Sequence, residues 1–416
     1  MSLTSSRTAR TQWFVLAAAF LAFAISSGFM QSYTVFLVAF VEAFGWTRAE
    51  SSLAYSTSQL VSGLSSPLVG VLVDRLGAPR LVLLGGILLA AGLLASAHVT
   101  ALWQVVGLYG VVMTLGANCL GMVVFVPIVS RYFLRRRGTA IAILQSANGA
   151  GRAVSAPTMQ WLISTGGWRH AYVVQGIGMA LLVLPLAALF RGRDRPAVPR
   201  AAVNRAEHEP EAGPNWTLRA AMRTPHFWLL FTVYLCTGLG SFLVSLHQLA
   251  FAADQGFDKL YAAGVLGMGS FLAIPGIIAT GVLSDYIGRE WSAIIAYGFS
   301  IVGVFFALLI SGPGDHLLLW LHACFFGLTW GARGPAITAK TADLFPGRHL
   351  GAIIGVITVG TGIGSAVGSW AAGLIFDVSG SYRLAFALSI ASYLTGCVAF
   401  WALRRPPRPF AANAIS

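Results

Sequence analysis

The sequence predicts an all-α polytopic membrane protein, with 12 transmembrane helices in two pseudo-symmetric six-helix bundles, on three observations. Hydrophobic residues make up 56% of the 416 and charged residues only 10%, too few to clothe a soluble domain. Apolar runs of about 20 residues, each able to cross ~30 Å of hydrocarbon at ~1.5 Å per residue, recur along almost the whole chain. The plan also repeats in letters, since Gly70-x-Leu72-x-Asp74-x-x-Gly77 returns as Gly281-x-Leu283-x-Asp285-x-x-Gly288, an offset of 211. Two halves of like orientation are the parallel-repeat plan of a rocking transporter, with the substrate between the halves near the midplane.

The net charge of +13 does not point to nucleic acid, because the basic residues follow topology. With the N-terminus placed in the cytoplasm, 20 of the 27 Lys and Arg residues fall on cytoplasmic segments and four on outside loops. This positive-inside asymmetry puts both termini in the cytoplasm. Arg152, Arg333 and Lys340 are left within spans. The four cysteines lie in predicted spans at scattered spacings, so neither a disulfide framework nor a metal site is expected.

Span one runs from Gln12 to Phe40 and span two from Ser51 to Val73. Between them, Thr47 and Glu50 have the spacing of a capping box. Span three ends near His98. Span four, Leu102 to Ser130, carries Asn118 at mid-depth, and the basic turn from Arg131 to Gly138 leads into span five, Thr139 to Ile163. Span six ends near Phe190. Residues 191–225, polar and rich in proline, read as a cytoplasmic linker between bundles 1–190 and 226–416. Its part from Trp216 to Arg223 has the pattern of a short interfacial helix. Spans seven and eight run from Phe227 to Ala252 and from Tyr261 to Leu283. The last four start near Trp291, Leu317, Gly351 and Leu384. Gly360, Gly364 and Gly368 make a small-residue row for close helix packing in span eleven.

The stretch Gly70-x-Leu-x-Asp-Arg-x-Gly-x-x-Arg80 resembles the signature loop of the major facilitator superfamily. More narrowly, Ser32-Tyr-Thr-Val-Phe36, Phe44-Gly-Trp-Thr-Arg48, Tyr132-Phe-Leu-Arg-Arg-Arg-Gly138 and His247-Gln-Leu249 resemble bacterial monocarboxylate and oxalate/formate porters. The resemblance implies that family's fold and assigns the signature loop to conformational control. Asp74, Arg75, Arg80, Asp285 and Arg289 are therefore candidate gating residues, latching inner helix ends in one state. The porters resembled here carry an arginine on span eight where this chain has Ile277, and some carry a lysine on span one where it has Gln31. Their two-cation mechanism cannot be copied over.

Arg333 stands in the run from Gly331 to Lys340, where a buried charge costs roughly 2.5–3.5 kcal/mol and needs a cavity, a counter-charge or a substrate. All 14 acidic residues lie at span ends or in loops, so a central Arg333 has no acidic partner of its own. An anionic substrate is the simplest partner, with the guanidinium fork matching a carboxylate. Lys340 has a local explanation in Asp343, three residues on. Gln145, Asn148 and Arg152 share one face of span five. Arg152 either lines the cavity or is bonded structurally to a neighbouring helix. Asn118, His247, Asn148, Gln31 and Tyr33 complete the candidate substrate contacts. His247 and His322 are the candidates for proton coupling.

The expected function is secondary active transport of a small organic anion, a mono- or dicarboxylate, by alternating access in a bacterial inner membrane. A coupled proton or counter-anion is the expected partner, and the monomer the expected functional unit. Neither a nucleotide-binding loop nor a catalytic constellation appears in the sequence, so no enzyme, cofactor or metal is expected. Efflux of amphipathic compounds, or substrate sensing on a transporter frame, are the alternatives.

Overall fold

The computed structural model describes residues 3–133, 137–190, 216–347 and 349–404, and every regular element among them is a helix. Eight of the helical stretches are long and apolar enough to cross a membrane. Span two, a helix over Arg48–Leu76, falls outside that set because serines dilute its hydropathy. Spans five and six form one helical run, Arg137–Phe190, turned at Gly167, whose φ of 80° belongs to the left-handed region. The expected count of twelve is compatible with these segments. The linker before Trp216 lies outside the described residues; beyond it Thr217 caps the short helix Leu218–Met222.

Local chemistry sets the boundaries. Span two opens with the expected capping box: the Glu50 amide donates to Thr47 Oγ1 at 3.2 Å, and the Thr47 amide donates to Glu50 Oε2 at 2.9 Å. Asp258 caps span eight, Lys259–Ile287, by accepting from the Tyr261 amide. In the turn between spans nine and ten, the Ser311 amide and hydroxyl and the Gly312 amide hold the Asp315 carboxyl below the ordinary carboxylate range.

Several spans are broken rather than straight. Span one divides into Leu3–Gln31 and Tyr33–Phe44, where the Ser32 hydroxyl donates to the Phe29 carbonyl at 2.7 Å. Span seven divides into Pro225–Ser245 and Gln248–Asp254, with His247 at the break. Span ten divides into His316–Leu328 and Arg333–Leu344. Gly331, between those pieces, has φ 77°, and a Cβ there would stand 3.3 Å from Ile277 of span eight.

Span eleven, Leu350–Ser379, packs on span seven through its glycine row, as the spacing predicted. A Cβ on Gly364 would lie 2.2 Å from the Leu235 carbonyl oxygen, so the backbones meet at a distance only glycine permits. Across the molecule, span two packs on span eleven and span five on span eight. The two halves are clasped at the end that carries Arg48. Toward the end that carries Arg75, the same spans present exposed apolar side chains, including Leu64, Leu68, Ile278 and Val282.

Candidate functional site

Among the described residues two buried polar centres and one partly exposed clasp emerge, and the sequence-predicted residues divide among them. The first lies on the seam between spans five and ten. Arg152 is 6% exposed, and its guanidinium carbon sits 4.5 Å from the centre of the Trp330 ring. It makes no hydrogen bond or ion pair with any described residue. Phe242 meets Trp330 edge-on at 5.4 Å and Tyr55 lies 5.7 Å from Phe242, which completes an aromatic wall from both halves. Arg152, Gln248, Ser270, Phe326 and Trp330 enclose a space of about 10 Å³, enough for a single water.

The second centre surrounds Arg333, which is 3% exposed and lies within the last six spans rather than on the seam. Its Nη1 donates to Ser300 Oγ at 2.6 Å and its Nη2 to Ser241 Oγ at 3.3 Å. The guanidinium is sandwiched between the rings of Tyr297 at 4.9 Å and Tyr393 at 4.8 Å. Ser300 also bonds Thr329 at 2.6 Å, and Tyr393 donates to Ser241 at 3.0 Å. Arg333 thus ties spans seven, nine and twelve to the break in span ten, while its Nε has no partner. The structure does not bring Arg333 and Arg152 together.

The third centre is the clasp. Arg48 of span two donates through Nη1 to the Tyr382 hydroxyl at 2.5 Å and through Nη2 to Asp254 at 2.7 Å, and lies over the Phe376 ring at 3.9 Å. Asp377 accepts from the Arg48 and Ala49 amides at 2.9 and 2.8 Å, so a carboxylate of one half caps a helix of the other. Lys259 pairs with Glu42 alongside.

His247, fully buried, belongs to this clasp. Its Nε2 stands 2.9 Å from the Ser369 carbonyl, which only accepts, and its Nδ1 stands 3.1 Å from the Tyr382 hydroxyl. Since that hydroxyl already accepts from Arg48, it donates to Nδ1, and the network assigns a neutral imidazole protonated on Nε2. Ser52 of span two lies 3.2 Å from the same Nε2. His322 sits apart, with Nδ1 2.8 Å from the Gly303 carbonyl and Nε2 unpartnered against Phe326.

The remaining candidates are dispersed. Asn118 is saturated by span two, bonding Ser62 through side chain and carbonyl at 3.0 and 3.2 Å and Ser65 at 2.7 Å. Gln31 accepts from Tyr55 at 3.1 Å. Tyr33, 1% exposed, donates to the Ser51 carbonyl and packs among Tyr55 and Tyr109. Asn148 is half-buried on the Arg152 face. Among the gating candidates, Arg75 and Arg80 are exposed, and Arg289 stands 3.6 Å from Asp343. The side chains of Asp74 and Asp285 lie outside the described residues. Lys340 is ion-paired, but with Glu290 of span nine at 2.7 Å rather than with the expected Asp343. The sequence does not predict Trp330 or the contacts of Arg48, although Arg48 ends the Phe44–Arg48 stretch; their partners come from other spans, so spacing carries no signal of them.

A paired set of helical half-structures built from spans long and apolar enough to cross a membrane defines a multi-pass membrane protein. The chain belongs to the Major Facilitator Superfamily, whose family model matches residues 16–339 and 325–415. It is similar to "Monocarboxylate transporter 13" of Rattus norvegicus, 27% identical over 385 residues, covering 92% of this chain and 87% of the relative. It is likewise similar to the "Oxalate:formate antiporter" of Oxalobacter formigenes, 24% identical over 408 residues, covering 96% and 93%. The solved nucleoside transporter NupG matches in fold with a TM-score of 0.72 at 14% identity, over 95% of this chain and 100% of that one. The protein is a non-enzymatic transporter.

Proposed function

We propose that this protein carries a small organic anion, a carboxylate, by alternating access, and that Arg152 is the cation that receives it. The observation that supports this reading is a buried guanidinium on the seam with no hydrogen-bond acceptor among the described residues. None of its five N–H donors is hydrogen-bonded to a described residue, and the guanidinium borders a ring and a water-sized space. A carboxylate satisfies that fork with paired, charge-assisted bonds, whereas the Trp330 face satisfies only its charge. The names of the relatives, transporters of monocarboxylates and an exchanger of oxalate for formate, favour the same class of cargo.

The 10 Å³ space is too small for any carboxylate, so loading requires Trp330 and the seam to move. The clasp suits a state closed at the Arg48 end. With the positive-inside charge pattern, that end faces away from the cytoplasm of a bacterial cell and both termini face into it. Residues 1–190 and 226–416 act as the two rocking bodies, joined by the linker 191–225. Asp74, Arg75, Arg80, Asp285 and Arg289 latch the opposite end in the alternate state. Asn118, Asn148, Gln31 and Tyr33 line the approach in that state, and His247 couples transport to a proton.

Arg333 takes a different part in this reading. Two hydroxyls and two aromatic faces already engage it, so it fixes the broken span ten that carries Trp330. Uptake by the purified protein in proteoliposomes, with radiolabelled monocarboxylates, dicarboxylates and neutral isosteres, tests the cargo class. Saturable uptake confined to carboxylates is expected; equal uptake of neutral isosteres contradicts it.

A further inference from the structure

A second cavity, of about 280 Å³, opens at the Arg48 end and is separate from the Arg152 space in every lining residue. Its walls come from spans seven, nine, eleven and twelve. Phe251, Leu308 and Phe376 supply apolar surface, and Asp254, Tyr382 and Arg383 supply polar groups. At this size it admits a small aromatic or aliphatic body with a polar head, near the lower end of small-molecule pockets.

The polar groups are not equivalent. Asp254 is neutralised by Arg48 at 2.7 Å, and the Tyr382 hydroxyl is engaged by Arg48 and His247. The exposed Arg383 side chain makes no hydrogen bond or ion pair with a described residue. Among the lining residues the charge left for a ligand is therefore the Arg383 guanidinium, with the Asp377 carboxylate outside the lining and engaged by the Arg48 and Ala49 amides, and the surface around it is aromatic and aliphatic. An anionic head on Arg383 with an apolar body among Phe251 and Leu308 matches both.

The inner wall gives this cavity a consequence for transport. Asp254, Phe376 and Tyr382 line it and are also the groups that hold Arg48. A ligand packed behind them restrains the side chains that receive Arg48, and binding that favours one state shifts the equilibrium toward it. We propose that this cavity is a regulatory site for an amphipathic organic anion, whose occupancy holds the Arg48 end closed and slows transport. The proposal does not require Arg152 to be the substrate site.

Phenylbutanoate, an apolar ring on a short carboxylate chain, is the probe. Its binding to the full chain in lipid nanodiscs is measured by calorimetry for the unaltered protein, Arg383→Gln, Leu308→Trp and Arg152→Gln. Arg383→Gln is expected to weaken binding about tenfold, the scale of a lost charged hydrogen bond. Leu308→Trp fills the cavity and is expected to abolish binding, while Arg152→Gln leaves it intact. Oxidative cross-linking of a Glu42→Cys, Lys259→Cys pair is expected to accelerate when the probe is present. No binding by the unaltered protein, equal binding by the Arg383 and Leu308 variants, loss confined to Arg152→Gln, or an unchanged cross-linking rate each overturns the proposal.

Discussion

The guanidinium of Arg152 lies 4.5 Å from the centre of the Trp330 ring, so a buried cation of span five is covered by an aromatic face of span ten. A desolvated cation–π contact is worth about 2 kcal/mol, and it leaves every guanidinium N–H without a linear acceptor. A bidentate carboxylate supplies both charge and acceptors. Trp330 is followed directly by Gly331, whose φ of 77° marks the break between the two pieces of span ten.

Arg333 and Arg152 separate by what they touch. Arg333→Met removes two charge-assisted hydrogen bonds, at about 1.5–3 kcal/mol each, and leaves Ser300 and Ser241 short of a donor. A fall in melting temperature of the detergent-solubilised protein is expected, with substrate affinity of the folded fraction retained. An unchanged melting curve together with lost affinity would place Arg333 in the binding site instead.

Opening at the Arg48 end must break the Arg48–Asp254 pair and uncap span two. Asp377→Asn weakens the cap without altering its shape, and Arg48→Gln removes the pair and the Tyr382 bond. Both are expected to slow cross-linking of the Glu42→Cys, Lys259→Cys pair, Arg48→Gln the more strongly. Cross-linking rates equal to those of the parent pair contradict the clasp.

A second proton on His247, at Nδ1, displaces the hydrogen bond that the Tyr382 hydroxyl donates there. Its Nδ1 receives the Tyr382 hydroxyl, and the charged or titratable groups around it are Arg48, Asp254, Asp377 and Tyr382. Protonation sets a cation against the Arg48 guanidinium and turns the Tyr382 hydrogen away, so acid favours opening. Corrected for the thiolate fraction, which itself falls with pH, cross-linking is expected to slow as pH falls in the parent and to lose that residual pH dependence in His247→Gln. His322→Gln keeps the parent's pH dependence, because His322 bonds the Gly303 carbonyl and stacks on Phe326, away from the clasp. The opposite pattern, with His322→Gln flattening the profile, removes His247 from the role.

The glycine row predicts a backbone effect. Gly364→Ala drives a methyl to 2.2 Å from the Leu235 carbonyl oxygen, which neither helix can relieve by a rotamer change. Loss of folded protein after detergent extraction is expected, whereas Gly355→Ala, with open space at its Cβ, extracts normally. Equal yields contradict the close seven–eleven contact.

Much of the fold was legible because its signals are local. Hydropathy and the 211-residue echo pointed to the helical repeat, the Thr47 and Glu50 spacing gave the cap, and Gly360, Gly364 and Gly368 gave a packing row. The site was legible only as an inventory of charge. Counting acids correctly left Arg333 without a carboxylate, but hydroxyls and rings do not enter such a count. Ser241, Tyr297, Ser300 and Tyr393 come from three spans distant in sequence. The same limit applied to Lys340, whose partner Glu290 lies fifty residues away while Asp343 lies three. Proximity along a helix is readable from spacing; proximity between helices needs the packing.

The central claim, that Arg152 receives the anion, is tested most directly by substrate binding to Arg152→Gln and Arg152→Lys in the reconstituted protein. Arg152→Gln is expected to abolish saturable binding of the transported carboxylate while the protein remains folded. Arg152→Lys, which keeps the charge but loses the fork, is expected to retain weak binding. Parental affinity in Arg152→Gln contradicts the account.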